Sequence, residues 1–476
     1  MKRYKHSLSN YQLTTCDMGQ LIPIGMQEVL PGDTFRHSTS VLVRAAPLLR
    51  PVMHPVMVRV HHWFVPLRLI WSEFEQFITG GVDGAGDGYT YPVLGAITPT
   101  KGDLLDHLGV PLVAAAAGDL SALPVRAYNL IYNENYRDQD LVSEVAQDTN
   151  AIQNIAWGKD VFTSARPWAQ RGSAVTLPLG TDAPVFGKNM DFDGVEDSAN
   201  YAQILDGPAG NLRQQVANGT HVYGGSGNSG TGQLFADLTN ATAATVIQLR
   251  EAFGLQSFKE ARALYGPRYT EYLRYCGLRP ADARLQRPEY LGGGKQTISF
   301  SEVLNQTSAG TPADLYGHGI SAMRSNRYQT FFPEHGIQMS LLSIRPMTMY
   351  NQGLERIWTK RTNTEYFQKE LQRIGQQEIR NDEVYFQGAA ADDNTFGYGD
   401  RYHEYKHAQS KVSAEFRSTL DEWHIGRSFS SLPTLNQAFI ECDVDETQIF
   451  ASSTNDTMYI MASHSIQSRQ IGRAHV

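Results

Sequence analysis

PVMHPVMVRVHHWFVP, residues 51–66, decides how the rest of the chain reads. Its side chains alternate. Val56, Val58, Val60, His62 and Phe64 fall on one face and Met57, Arg59, His61 and Trp63 on the other, the period of an extended strand with one packed side. Pro66 stops the run, and LRLIWSEFEQFITGG (67–81) shifts to a spacing that predicts a short helix ending at Gly80 and Gly81. Similar extended runs recur at 296–304 (QTISFSEVL), 336–345 (GIQMSLLSIR) and 456–467 (DTMYIMASHSIQ). In the last of these, Met458, Ile460, Ala462 and Ile466 alternate with Tyr459, Ser463 and Ser465. FIEC (439–442) and TQIF (447–450) flank DVDE and read as a hairpin with a four-residue turn.

Helical signals sit in the connections. TNTEYFQKELQRIG (362–375) places Thr362 and Glu365 at capping-box spacing, Phe367, Leu371 and Ile374 at helical intervals, and Gly375 at a C-cap. In 245–267, Val246, Leu249 and Phe253 repeat helically until Gly266 and Pro267. Strands at both ends of the chain, without regular strand–helix alternation or a fixed repeat, predict a β framework with helices in long loops. Residues 206–240 are dominated by Gly, Asn, Ser and Thr; such a segment buries little and is expected to project into solvent.

Composition narrows the function. The 476 residues carry 41 Lys and Arg against 49 Asp and Glu, a net charge of −8, which argues against gripping nucleic acid by bulk positive charge. Arginine outnumbers lysine 30 to 11 and there are 23 tyrosines, a composition suited to protein contacts. Cys16, Cys276 and Cys442 form no CxxC pair, so neither a disulfide framework nor a zinc knuckle is implied, and the compartment reads as reducing. No apolar run is long enough to span a membrane, and the basic N-terminus lacks the apolar segment of a signal peptide. The sequons at Asn218, Asn240 and Asn305 are then chance spacings. IGRAHV (471–476) matches the translation of a sequencing adapter and is set aside as non-native, with the natural C-terminus expected beyond Arg469.

The motifs that carry chemistry are weak. HEYKH, with His403, Glu404 and His407, fits the HExxH of a zinc hydrolase, but that spacing works only on a helix and these residues follow the loop GYGD without a cap. GSGNSG (225–230) lacks the strand and helix of a dinucleotide site, and GGGK (292–295) reads as a turn before a strand. On one strand His61 and His62 face opposite ways, so with His54 they do not converge on a metal and read as core or interface residues. The carboxylates Asp443, Asp445 and Glu446, and separately Asp191 and Asp193, complete no calcium loop. Lys2, Arg3 and Lys5, interleaved with Tyr4 and His6, form a short tail able to neutralise a few phosphates.

Long, idiosyncratic strings are more specific than any of these motifs. CDMGQLIPIGMQEVLPGDTFRH (16–37), MHPVMVRVHHWFVP (53–66), DARLQRPEYLGGGKQ (282–296), PEHGIQMSLLSIRPMTMY (333–350), FGYGDRYHEYKH (396–407) and the segment from Phe416 to Trp423 resemble the major capsid proteins of microviruses, the small icosahedral single-stranded DNA phages, and among them the gokushovirus type.

The resemblance implies a mainly β chain: an eight-stranded antiparallel viral jelly roll with long loop insertions containing short helices. It divides as an N-terminal arm and first loop (1–50) and one jelly-roll domain (51–470). Within that domain, 206–240 would be the surface insertion forming threefold protrusions, with Asn218, Thr220, His221, Tyr223 and Asn228 as candidate surface residues. The chain is expected to be no enzyme and to need no cofactor or metal. It is expected to assemble with copies of itself into a T=1 icosahedral shell around circular single-stranded DNA, with Lys2, Arg3 and Lys5 touching DNA. Implied partners are an internal scaffolding protein, a DNA pilot protein, a small basic DNA-binding protein and a host surface receptor. The implied locations are the virion and, during assembly, the bacterial cytoplasm. The alternatives are the zinc-dependent hydrolase on His403, Glu404 and His407, and a secreted carbohydrate-binding sandwich.

Overall fold

The computed structural model describes residues 3–79, 88–176, 246–266, 268–279, 281–304, 315–451 and 454–471, together with the strand backbones at 185–190, 196–206, 212–215, 221–222 and 234–236. Two compact units result, residues 1–169 with 262–476, and residues 170–261.

In the larger unit the N-terminal strands are β1 (Arg3–Ser7), β2 (Asn10–Cys16), β3 (Gln20–Val29), β4 (Thr34–Ala45), β5 (Val56–Pro66) and β6 (Gln153–Asn154). The smaller unit holds a five-stranded sheet of β7 (Val185–Met190), β8 (Glu196–Asp206), β9 (Leu212–Gln215), β10 (His221–Val222) and β11 (Leu234–Ala236). The larger unit then resumes with β12 (Glu289–Leu304), β13 (Leu315–Arg324), β14 (Tyr328–Phe331), β15 (Gly336–Pro346), β16 (Gln377–Arg380), β17 (Thr395–Gly399) and β18 (Met458–Ile471). Residues 3–45, read from the sequence as an arm and a first loop, thus supply four strands. Ile471, set aside with the adapter-like tail, pairs with Arg3 on β1.

Eleven antiparallel strands form one sheet that folds on itself. In one layer β18 pairs on one side with β1 and β2 and on the other with β4, and β4 pairs in turn with β13 and β14. In the second layer β5 and β15 pair centrally, flanked by β3 and β6. β12 belongs to both: residues 289–298 pair with β5 and 299–304 with β13. The layers close over a common core in which Val41, Val43, Met458 and Ile460 of the first meet Ile24, Val58, Val60 and Leu342 of the second. This is the antiparallel β-sandwich of a jelly roll.

The passage of β12 between layers explains a difference from the sequence reading. GGGK (292–295) is part of the strand and not a turn before it, with a bulge between Tyr290 and Gly292. A Cβ on Gly293 would stand 2.2 Å from the Val60 carbonyl oxygen, and one on Gly294 2.9 Å from Ser325 Cα, so only glycine lets the crossing strand lie this close.

The centre of the second layer, β15 with most of β5, is buried on both sides. Its outer face is covered by the helix Leu123–Asn135, whose Tyr128, Ile131 and Tyr132 pack with Trp63, Val65, Met339 and Leu341. Tyr128 donates to the Leu21 carbonyl (2.7 Å) and accepts from the Gln153 N–H (3.0 Å). This explains why β15 reads as a nearly continuous apolar run rather than an alternation. Among the described residues of the larger unit, the outer face of the first layer is open, with Tyr11, Leu13, Tyr459 and Met461 exposed on it.

Two local expectations give way to tertiary contacts. The helix expected at 362–375 is reduced to single turns at Asn363–Glu365 and Leu371–Arg373. Glu365 does reach back to the Thr362 N–H (2.6 Å), but Tyr366 is extended, Gln368 N–H donates to Tyr402 (3.1 Å), and Phe367 packs on the Tyr402 ring. A short helix, marginal alone, yields to those contacts. The hairpin expected at 439–450 does not form, because its halves bridge to different partners, Glu441 to Ala156 and Phe450 to Leu48. By contrast, the expected helices near 67–79 and 246–265 are present, the first split into Leu67–Ile70 and Phe74–Thr79.

At one end of the core the two layers meet through polar groups. His37 and Thr39 on β4, His464 on β18 and Tyr328 on β14 face His62 on β5, Ser340 on β15 and Ser325, all of them buried. His464 Nε2–H donates to the Ile24 carbonyl across the sandwich (2.7 Å), which leaves His464 Nδ1 to accept from the Thr39 hydroxyl (2.9 Å). Thr39 in turn accepts from His37 Nε2–H (3.1 Å), and His37 Nδ1 accepts from Tyr328 (2.9 Å). His62 bonds Ser340 (2.8 Å) and Ser325 (3.2 Å), and its ring lies 4.7 Å from that of His37. The His464 and His37 rings are each both donor and acceptor in this chain of bonds, which requires them to be neutral imidazoles. Burial, followed by the neighbouring imidazoles, lowers the His37 pKa to about 3 and that of His62 well below its ordinary value; burial also lowers that of His464.

Gly25→Ala would set a Cβ 2.5 Å from His464 Nε2, so it should break the bond to Ile24 and destabilise the fold by ~1–3 kcal/mol in chemical unfolding. Gly95→Ala, which meets nothing within 4 Å, should change it negligibly. Because the folded histidines stay neutral while unfolded ones protonate near pH 6.5, stability present above that pH should fall as the solution is acidified toward pH 4. Each of the three sites contributes up to ~1.4 kcal/mol per pH unit. Urea midpoints from pH 7.5 to 4.5 should show that slope and a shallower one for His37→Gln. The comparison between variants cancels Glu446, whose burial pushes its carboxyl up to about 7 and acts in the opposite direction.

Candidate functional surfaces

The enzyme-like string HEYKH is a structural knot. Tyr402 adopts the left-handed conformation (φ 59°) and His403–Tyr405 make a single 3₁₀ turn, not the α-helix that HExxH requires. His403 Nε2 meets the Glu383 carboxylate at 2.8 Å, and Glu383 also accepts from Arg356 (3.0 Å). Burial alone would raise the Glu383 carboxyl, but the hydrogen bond and charge of His403, with the charge of Arg356, outweigh it and hold the pKa below its ordinary value. Glu404 pairs instead with the buried Lys360 (2.9 Å), which also donates to Tyr405 (2.9 Å), while His407 is exposed. The three residues do not converge on one point, and among the described residues no group of three or more His, Cys, Asp or Glu is placed to hold a metal ion.

The remaining singled-out groups are structural where they are described. His61 bonds Tyr136 (2.7 Å) on the covered side of its strand, His62 faces the core, and His54 bonds the Met347 carbonyl (2.7 Å), so these three do not converge. Glu446 accepts from the Met18 N–H (2.6 Å), and Asp445 accepts from the Thr447 N–H (3.1 Å). Cys16 and Cys442 are buried and Cys276 is exposed, all as free thiols. Asp191, Asp193, GSGNSG, Asn218, Thr220, Tyr223, Asn228, Asn240 and Asn305 lie outside the described residues, as does Lys2, and only the backbone of His221 is described.

What the structure offers is surface. The described residues of 347–457, between β15 and β18, contain only short helical turns and the β16–β17 ribbon. They are held by ion pairs such as Arg356–Glu383 (3.0 Å) and Lys360–Glu404 (2.9 Å), yet they expose Ile357 and Trp358, each at 68%, with Tyr366, Phe367, Ile374 and Phe386. So much apolar area beside paired charges is the signature of a protein contact. Sequence reasoning missed it because it read part of this segment as a helix.

The second surface is the open face of the first layer. Paired residues share a side, which places Leu13, Met461, Leu42 and Ala322 in one row across β2, β18, β4 and β13, and Thr15, Tyr459, Arg44 and Ile320 in the next. Arg3 and Lys5 lie at its margin on β1, the Arg3 guanidinium 5.0 Å above the Phe331 ring.

Comparison with known proteins gives these surfaces their context. A family described as "Capsid protein (F protein)" matches residues 1–468. Capsid protein VP1 of Bdellovibrio phage phiMH2K is 36% identical over 90% of this chain and 85% of its own length. VP1 of Chlamydia phage 1 is 31% identical over 93% and 89%, and VP1 of Spiroplasma virus 4 is 29% identical over 95% and 90%. A sandwich with long excursions, surfaces richer than its chemistry, and a family match over nearly its whole length agree: this chain belongs to the microvirus capsid proteins of the gokushovirus type, and it is a structural major capsid protein rather than an enzyme.

Proposed function

We propose that this capsid protein closes with copies of itself into a T=1 icosahedral shell around circular single-stranded DNA. The observation that supports this most directly is the exposed apolar band of residues 347–457. One chain type closing on fivefold and threefold axes needs heterologous contacts, and these need broad unlike patches on one subunit. Ile357, Trp358, Phe367 and Ile374 supply one such patch, beside arginines suited to interfaces. Assembly takes place in the bacterial cytoplasm with an internal scaffolding protein. The finished virion also holds a DNA pilot protein and a small basic protein that neutralises most of the genome, since the chain itself carries −8. Residues 206–240 form the threefold protrusion and meet the host receptor, with Asn218, Thr220, His221, Tyr223 and Asn228 as contact residues.

Co-expression of the chain with the scaffolding protein, followed by sedimentation and negative-stain imaging, should show closed shells. Trp358→Asp should leave a folded subunit, unchanged in circular dichroism, that no longer sediments as particles. A chain that remains monomeric with scaffold and DNA present would refute the reading.

A further inference from the structure

We propose that the tyrosine- and arginine-bearing segment 264–285 of one copy docks on the acidic segment 69–100 of a neighbouring copy, an inference that rests on the reading of this chain as a shell subunit. A heterologous contact needs two unlike patches on one chain, and these two are complementary.

The first observation is a helix that packs on almost nothing. Tyr269–Tyr275 buries none of its residues, and so short a helix is not stable by itself. It is tied down at its start, where Arg268 donates to the carbonyls of Asn133 (2.5 Å) and Arg137 (3.2 Å). Tyr265, Tyr269, Tyr272 and Tyr275 stand 42–65% exposed, with their rings in a row. The ring of Tyr265 lies 5.0 Å from that of Tyr275, which lies 6.5 Å from Tyr272, itself 6.4 Å from Tyr269. Four adjoining open rings form an apolar surface of the kind a protein partner covers.

The second observation is charge. Residues 264–285 carry Arg268, Arg274, Arg279 and Arg284 against Glu271 and Asp282. Both carboxylates are engaged within the chain, Glu271 accepting from the Arg268 N–H (3.1 Å) and Asp282 lying 3.6 Å from Arg287. Arg274, Arg279 and Arg284 are exposed, and among the described residues none of the three has an ion-pair partner. Thr270, Arg274, Gly277, Arg279, Asp282 and Leu285 line a concavity of about 500 Å³. Its two guanidinium forks and its hydroxyl are donors that suit carboxylates.

The matching surface is in the same chain. From Leu69 to Thr100 there is no Lys, Arg or His, while Glu73, Glu75, Asp83 and Asp87 fall within the run. Glu73 and Glu75 are exposed, and beside them on the helix Phe74–Thr79 stands Ile78, 52% exposed. Tyr91 (40% exposed) continues this surface, its ring 6.1 Å from that of Phe77. Each segment lacks what the other offers: carboxylates for the free guanidiniums, and apolar side chains for the rings. The two also adjoin, since Arg68, just before the acidic run, bonds Gln286, just after the cationic one. Rotation about a nearby axis then brings one chain's rings and arginines onto the next chain's carboxylates, which is how a heterologous contact closes a ring. A nucleic acid would meet the arginines and rings but leave the acidic run without a cation. A second copy answers both surfaces, and a shell places that copy beside every chain.

The test is charge reversal with rescue, in the full-length chain co-expressed with its scaffolding protein. Arg274→Glu with Arg279→Glu, and separately Glu73→Arg with Glu75→Arg, set like charges together and should each lower the particle fraction in gradient sedimentation roughly tenfold. The quadruple variant restores opposite charges and should recover most of the particles, which a misfolded parent would not allow. Position is read independently. Ile78→Cys particles treated with copper(II) phenanthroline, which takes up the two electrons while the two thiol protons pass to the buffer, should form a disulfide to the exposed Cys276 of a neighbouring copy. Met53→Cys, at a residue 67% exposed elsewhere, should not. The disulfide mapping holds even if the charge-reversed chains misfold. Particles from either charge-reversed chain at the wild-type yield, with or without loss of packaged DNA, or disulfides from position 78 that never reach Cys276, would overturn the proposal. The shell reading fails separately. Wild-type chains that close while the charge-reversed chains close equally well keep the shell and remove this contact. Wild-type chains that never close refute the shell, and sedimentation velocity of the free chains then decides the contact: association lost in either reversed pair and regained in the quadruple variant keeps it, and monomers throughout remove it too.

Discussion

The hydrogen bond from His464 to the Ile24 carbonyl, with the neutral histidines behind it, sets how the two layers of the sandwich sit on each other. An apolar core alone specifies that two sheets pack but leaves their register loose, because methyl contacts exchange at little cost. Here the donor on β18 has one acceptor on β3, and its second nitrogen accepts from Thr39, which is met by His37 and then Tyr328. Sliding one layer against the other would leave these groups buried without partners, at roughly 1–3 kcal/mol each. The apolar half of the core supplies the driving force, and the polar end supplies the geometry.

From that geometry follows the division of labour between faces. The middle of the second layer is sealed by the helix Leu123–Asn135 and its neighbours, so β15 and the adjoining part of β5 are buried on both sides and present little outward. The first layer can bear exposed arginines and rings because its inner face alone carries the packing. A shell subunit needs an inside, an outside and a rim, and a sandwich covered on one side only makes such an asymmetry from a single chain.

Much of the framework was legible in the sequence because alternation is a local signal. Val56 to Phe64, and Met458 to Ile466, announce strands whose packed sides are the ones buried in the core. What failed was decided by residues far away in the chain. Thr362 and Glu365 have a capping pattern and form its contact, but Tyr402, some forty positions on, takes Phe367 and stops the helix. The glycines of 292–294 look like a turn until β12 is seen passing between layers, where Val60 and Ser325 leave no room for a Cβ. The surfaces were the least legible part. Arg274 and the tyrosines of 265–275 mean little until the fold shows them exposed together.

HEYKH shows why a chemical motif can persist without chemistry. The excursion of residues 347–457 has almost no regular hydrogen-bond ladder, so its backbone depends on side chains for its shape. His403 and Arg356 converge on Glu383, and Glu404 holds Lys360, so two buried carboxylates each answer a cation reaching in from another turn. Breaking either pair would leave a charge buried and unpaired, which costs far more than an exposed pair gains. The same His and Glu that would bind a metal on a helix here hold a loop rigid, and a rigid loop is what lets Trp358 and Ile357 stay exposed instead of collapsing inward. Function in such a chain lies in keeping apolar groups at the surface until another subunit covers them.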